Sequence, residues 1–244
     1  MLIDFILLFL FAGVPYYLVF EKIPVMRKDK IFPLAALLVI AGMVISYQFP
    51  HETSMPFVMV AFLASLFSLH KANQTNNLCK LTYYILFFNA PLLIMFKTKE
   101  SILYGVSLIV ALMGVYLMGK YYARSYGSPN YQSVSGITLV TPYAGLILTV
   151  YFTALALYPP FPNALLFLNG ILKSEISILW YLIVIVIFFG NFLIAVRVMA
   201  KTVFGKPNDN VHYIDISPTE RVLHLLIIAA LLLLSVIGLQ EVLS

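Results

Sequence analysis

Long apolar runs separated by short polar connections make up almost the whole chain. They cover Leu2 to Phe20, Ile31 to Phe49, Met55 to Leu69, Leu81 to Phe96, Ile102 to Gly119, Gly136 to Leu172, Ile176 to Ala200 and Val222 to Leu239. A helix needs about 17 to 25 apolar residues to pass through hydrocarbon. The pattern therefore predicts an all-α fold, a polytopic transmembrane helix bundle of about eight spans. The third and fourth runs are short enough to be tilted or re-entrant, which leaves seven or nine crossings as alternatives. The first run has no basic stretch before it, carries Asp4 and lacks a small-residue cleavage site, so it reads as a mature helix rather than a signal peptide. The longest polar stretch, Lys201 to Glu220, has no room for a core of its own. Residues 1–244 thus read as a single transmembrane domain.

The sixth run is interrupted. Pro159-Pro160-Phe161-Pro162 splits it, and Asn163-Ala-Leu-Leu-Phe-Leu-Asn169-Gly170 resumes it at once. Proline supplies no backbone N–H, and its ring collides with the carbonyl one turn back, so a helix cannot pass through this cluster unaltered. The expectation is one discontinuous helix broken at Pro159, Pro160 and Pro162, with freed backbone groups facing a wet protein interior. Transporters handle ions at such breaks. The amides of Asn163 and Asn169 are of the right kind to satisfy those groups and to organise water beside them.

Composition agrees with a membrane setting: 62% of residues are hydrophobic, 10% are charged, and the mean hydropathy is +0.97. The formal net charge of +5 does not point to nucleic acid, because Lys and Arg sit between apolar runs rather than on one basic face. Their distribution instead reports topology. The first, third, fifth and seventh connections hold Lys22, Arg27, Lys28, Lys30, Lys71, Lys80, Lys120, Arg124, Lys201, Lys206 and Arg221, whereas the opposite side holds Lys97, Lys99 and Lys173. Positively charged loops stay inside, so both termini are expected on the non-cytoplasmic side of the cell inner membrane. The single cysteine, Cys79, excludes an internal disulfide. Neither a phosphate-cradling glycine loop nor a metal-ligand spacing occurs, and the four histidines lie in different segments, so no cofactor is expected.

An ionisable group at membrane depth is a functional candidate by default, because burying a charge there costs several kcal/mol. Lys80, at the start of the fourth run, reads either as a relay lysine or as a snorkelling anchor. His224, one turn after Glu220, reads as a titrating gate or as a helix-end histidine at the interface. Lys173 and Glu175 follow the broken helix and read as an exit-side pair or as solvated loop charges. Asn89, close to Pro91, and Asn191 are polar at depth and suit interhelical hydrogen bonds. Asp4 and Glu241 carry only a topological meaning. Ser217-Pro218-Thr219-Glu220 has the form of a capped helix start.

From about Tyr121 onward the chain resembles the antiporter-like membrane subunits shared by respiratory complex I, Mrp-type cation/proton antiporters, membrane-bound hydrogenases and related inorganic-carbon transporters. The resemblance rests on Ser135-Gly136-Ile137 with Thr141-Pro142, on Leu155-Ala156-Leu157-Tyr158-Pro159-Pro160-Phe161, and on a long apolar helix ending in Arg197 and Phe204-Gly205-Lys206-Pro207. It continues through Ile216-Ser217-Pro218-Thr219-Glu220 into a last helix closing at Ile237-Gly238. It implies a variable set of N-terminal helices over 1–120 and an antiporter-like part over 121–244, with the proline break in a proton path. Full members of this family are similar to fourteen-helix proteins with two inverted five-helix repeats, so this chain would be a shortened one. The family places an acid or a lysine soon after the break, where this sequence has Ala164 to Leu168; the nearest substitutes are Asn169, Lys173 and Glu175.

The resemblance implies a subunit that takes part in proton or cation/proton translocation within a larger membrane complex, similar to an NADH-quinone oxidoreductase or a hydrogenase, without being catalytic alone. Its partners would be other membrane subunits, the lipid bilayer, and protons or monovalent cations. Two other readings stand beside it: a non-transporting scaffold of such a complex, and an unrelated small transporter or lipid enzyme.

Overall fold

The computed structural model describes residues 2–23, 28–49, 54–174, 178–207, 209 and 211–244, and every regular element among them is helical. In chain order these are α1 (Leu2–Leu10), α2 (Tyr17–Lys22), α3 (Ile31–Gln48), α4 (Met55–Gln74), α5 (Leu78–Phe88), α6 (Ala90–Met95) and α7 (Thr98–Tyr126). A short α8 (Ile137–Val140) leads into α9 (Pro142–Leu155), and α10 (Pro162–Leu172), α11 (Ile178–Thr202) and α12 (Pro218–Leu243) complete the bundle. Among the described residues, six stretches are long and apolar enough to cross a bilayer, with α5 and α6 counting as one. The chain is a multi-pass helical membrane protein. The third run is longer than its apolar core suggests, because the helix continues through His70 and Lys71 to Gln74.

Bonds between connections sort the helix ends into two groups. At one end, Lys120 pairs with Asp29 at 3.0 Å, and Leu78 and Tyr131 donate backbone N–H to Pro129 and Asn76. Gly136 bonds to the carbonyl of Lys201 there, and Arg124 grips both oxygens of Glu220 at 2.6 and 2.7 Å. At the other end, Glu241 pairs with Lys99 at 2.8 Å and with Lys173 at 3.2 Å, and the Phe5 and Phe57 rings meet edge to face. The connections rich in Lys and Arg thus lie together, Phe5 and Glu241 lie opposite them, and the eight apolar runs alternate in direction.

The sequence predicts one broken run, and among the described residues there are three. Gly13 and Pro15 separate α1 from α2, Asn89 separates α5 from α6, and the proline cluster separates α9 from α10. Two of the breaks begin with a non-glycine residue in the left-handed region, Ala12 at φ 60° and Leu157 at φ 57°. Side chains take that conformation at a cost of about 1 kcal/mol or more, so packing must hold it in place.

Buried in the middle of the bundle, α5 presents Tyr83, Leu86 and Phe88 to neighbours on every side. Against α7, α9 approaches so closely that a Cβ on Gly114 would come within 2.3 Å of the Tyr151 ring. Arg197, near the end of α11, closes the C-terminus of α4 by donating to the carbonyls of Ala72 (2.6 Å), Thr75 (3.3 Å) and Asn73, while its guanidinium lies over the Tyr131 ring. Burial pushes the Tyr131 phenol up, and the guanidinium opposes that rise. Helix-end carbonyls have no partner within their own helix, and a planar donor fork answers several at once. Replacing Arg197 by Ala should destabilise the detergent-solubilised protein by about 1 to 3 kcal/mol, and Lys should restore only part of the loss; thermal unfolding in micelles measures both.

Candidate functional site

The break between α9 and α10 does not reverse the chain. Tyr151 of α9 lies against Gly114 of α7, Phe167 of α10 lies 6.3 Å from Tyr104 of α7, and Gly170 abuts Phe96, which precedes α7. On the other side, Tyr151 meets His224 of α12, Leu165 and Leu166 lie beside Gly238, and Lys173 meets Glu241. The two half-helices therefore run in line, parallel to α12 and antiparallel to α7. The break is level with Leu231, midway along α12. At 1.5 Å per residue it lies roughly 20 Å from either end of that helix.

Leu155, Ala156, Leu157, Pro159 and Pro160 have carbonyls that receive no backbone N–H among the described residues. The three prolines remove donors, and the left-handed turn at Leu157 directs the chain sideways before Pro162 starts α10. The two sides of the break differ. Tyr158, Pro159 and Pro160 face outward, with Tyr158 61% exposed, whereas Asn163 is fully buried.

Four of the sequence candidates lie on α9–α10 or on the α12 helix packed beside it, in order along the bundle. His224 comes first, 1% exposed, with Nδ1 2.9 Å from the Tyr151 hydroxyl. It is buried rather than interfacial, because the Tyr151 side chain reaches across from α9 to lie against it. Asn163 follows just past the break and Asn169 lies two turns further on, at 0% and 1% exposure. Both ends of both amides lack a hydrogen-bond partner. They do not satisfy the carbonyls freed by the prolines, because α10 turns both side chains into the bundle while the open carbonyls belong to the chain before it. Lys173 comes last, its ammonium 3.2 Å from Glu241; Glu175 lies outside the described residues. From His224 to Glu241 the rise along α12 is roughly 25 Å.

Lys80 belongs to a different cluster. Its ammonium is 3.9 Å from Glu21 of α2, and the same carboxylate oxygen accepts from Tyr83 (2.5 Å) and Tyr84 (2.6 Å). Nearby, the Tyr17 and Ser68 hydroxyls are 3.1 Å apart. The lysine is thus a partnered group at a helix entrance, not a free interfacial anchor.

A third polar group lies at the centre. The amides of Asn89 and Asn191 bond reciprocally, at 3.0 and 2.8 Å, and the Tyr104 hydroxyl donates to Asn89 at 2.8 Å. Phe167 of α10 sits between Tyr104 and Phe188, so this network lies beside the broken helix. The interhelical bonding expected of Asn89 and Asn191 is a bond between those two residues.

Tyr151 and Glu21 are members that the sequence reading did not single out, and Glu241 is one to which it gave only a topological meaning. Glu241 had a signal, since an acid closing the last run belongs to the same end as Lys99 and Lys173 in an eight-run topology. Tyr151 and Glu21 had none, because their partners are 73 and about 60 residues away. Among the described residues no group of three or more His, Cys, Asp or Glu side chains is arranged to hold a metal ion.

No protein-family model matches the chain, and no curated protein matches it either.

Without Asn191, Asn89 keeps the Tyr104 hydroxyl and the Ile85 carbonyl as partners, whereas without Asn89 both the Asn191 amide and the Tyr104 hydroxyl lose theirs. Asn89→Leu should therefore lower stability more than Asn191→Leu, with a coupling of about 0.6 to 1.7 kcal/mol between them in the double variant. Thermal denaturation of the four proteins in one detergent checks this.

Proposed function

We propose that the chain is a shortened antiporter-like membrane subunit that helps protons, or a cation exchanged for protons, to pass along the α7, α9–α10 and α12 contact. Both termini would lie on the non-cytoplasmic side of the cell inner membrane, because the end that gathers the excess of Lys and Arg faces inward by the positive-inside rule. The observation that carries the reading is the pair of fully buried, unpaired amides, Asn163 and Asn169, directly after a mid-length helix break. A buried amide left without protein partners is a water-binding group. Water held there joins the Tyr151–His224 pair on one side to Lys173 and Glu241 on the other.

In this mechanism His224 takes or gives a proton at the end near Glu220. Waters on Asn163 and Asn169 carry it past the apolar middle of α12, and the Lys173–Glu241 pair exchanges it with the opposite side. The Glu21–Lys80 pair, with its two tyrosine donors, is a second place where a proton can be held. The driving reaction would lie in other subunits of the complex. The scaffold reading makes the opposite claim about the same side chains, that they serve packing alone.

The test uses the intact membrane complex in proteoliposomes carrying a pH-sensitive dye. His224→Phe, Asn163→Leu and Lys173→Ala should each slow proton movement about tenfold, a barrier increase of about 1.4 kcal/mol, with assembly unchanged on a native gel. Full proton movement in all three variants would leave the scaffold reading in its place.

A further inference from the structure

The outward side of the break presents hydrogen-bond acceptors where lipid would otherwise be. Tyr158, Pro159 and Pro160 are exposed on the bundle surface, level with the midpoint of α12. The carbonyls of Pro159 and Pro160, like those of Leu155, Ala156 and Leu157 beneath them, receive no backbone N–H. Irregular backbone is not tolerated against hydrocarbon; it occurs at membrane depth only where protein or a water-filled cavity covers it. An unanswered peptide carbonyl moved from water to an apolar medium costs several kcal/mol.

The surface around the break continues as a ridge along both half-helices. On α9 it runs through Leu146, Thr149 and Thr153, and on α10 through Leu168 and Leu172. These positions recur at intervals of three and four, as on a helix face that packs along a second helix. Both threonine hydroxyls on the ridge donate back to their own helix, Thr149 to Gly145 at 2.8 Å and Thr153 to Thr149 at 2.7 Å. The ridge therefore offers acceptors in its middle, apolar contact above and below, and only the Tyr158 hydroxyl as an outward donor.

We infer that this ridge is the seat of a membrane-spanning helix from a different polypeptide, one that carries a hydrogen-bond-donating side chain at mid-bilayer aimed at the Pro159 and Pro160 carbonyls. A second copy of this chain fits poorly, because two-fold pairing would set acceptor against acceptor with one tyrosine hydroxyl from each copy. A lysine, arginine, asparagine, glutamine, serine or threonine on the partner supplies the missing donors. The inference rests on the membrane-subunit reading given above, but not on proton movement.

The experiment places the photo-reactive residue p-benzoylphenylalanine, which keeps the shape of a para-substituted aromatic, at Tyr158 in the full chain within native host membranes. A control chain carries it at Leu233, which is exposed at the same level on α12. After irradiation, the cross-linked peptides are sequenced by mass spectrometry. The expected result is a product specific to position 158, joined to an apolar stretch of another chain that contains a donor side chain, and its yield falls when that donor is replaced by Leu. Cross-links to lipid alone, to a second copy, or to a stretch without a donor would overturn the assignment. Proton movement lost in the variants above together with a lipid-only cross-link would remove this seat and leave the transport reading standing.

Discussion

The need to pair every backbone N–H and carbonyl within the protein governs this molecule more than any single contact. In hydrocarbon no water is present to answer them, and a helix is the cheapest way to do so. Continuous helices such as α7 and α11 meet the requirement internally. Where a helix stops, something else must answer. Arg197 answers for the end of α4, Ser217 and Glu220 form a capping box at the start of α12, and Asn77 receives the N–H of Lys80 at the start of α5. At the proline break several carbonyls receive no backbone N–H among the described residues, as is also true of Leu10, Phe11, Ala12 and Gly13 at the break between α1 and α2; the proline break differs in that its residues Tyr158, Pro159 and Pro160 are exposed.

The fold was legible to the extent that it depends on hydrophobic length. Eight apolar runs, their alternation, and the gathering of Lys and Arg at one end follow from the spacing of polar residues, and the capped start at Ser217 follows from a local motif. The breaks in the first and fourth runs were less visible. Pro91 follows Asn89 within a helix that is apolar throughout, and Ala12 adopts a left-handed conformation that its identity does not announce. Local sequence carries little information about a bend that distant packing enforces.

The candidate site was legible in its members but not in its pairings. His224, Asn163, Asn169 and Lys173 are unusual residues in apolar surroundings, so they stand out one by one. Their partners were set by which helices lie side by side. Tyr151 reaches His224 because Gly114 lets α9 come close to α7 and α12. Glu241 takes Lys173 because α10 and α12 end together. Asn89 finds Asn191 across 102 residues of sequence. Lys80, by contrast, belongs with Glu21 and two tyrosines, and only the short α2 segment beside α5 reveals it.

The close fit of Tyr151 into the notch at Gly114 has a mechanical consequence. With its ring held between α7 and His224, the first half of the sixth run is fixed to the bundle as a strut. The second half is held by a separate set of contacts, Leu165 and Leu166 on Gly238, Gly170 on Phe96, Phe167 between Tyr104 and Phe188, and Lys173 on Glu241. The two halves are thus anchored independently, and the non-helical residues 156–161 are the link between one anchorage and the other.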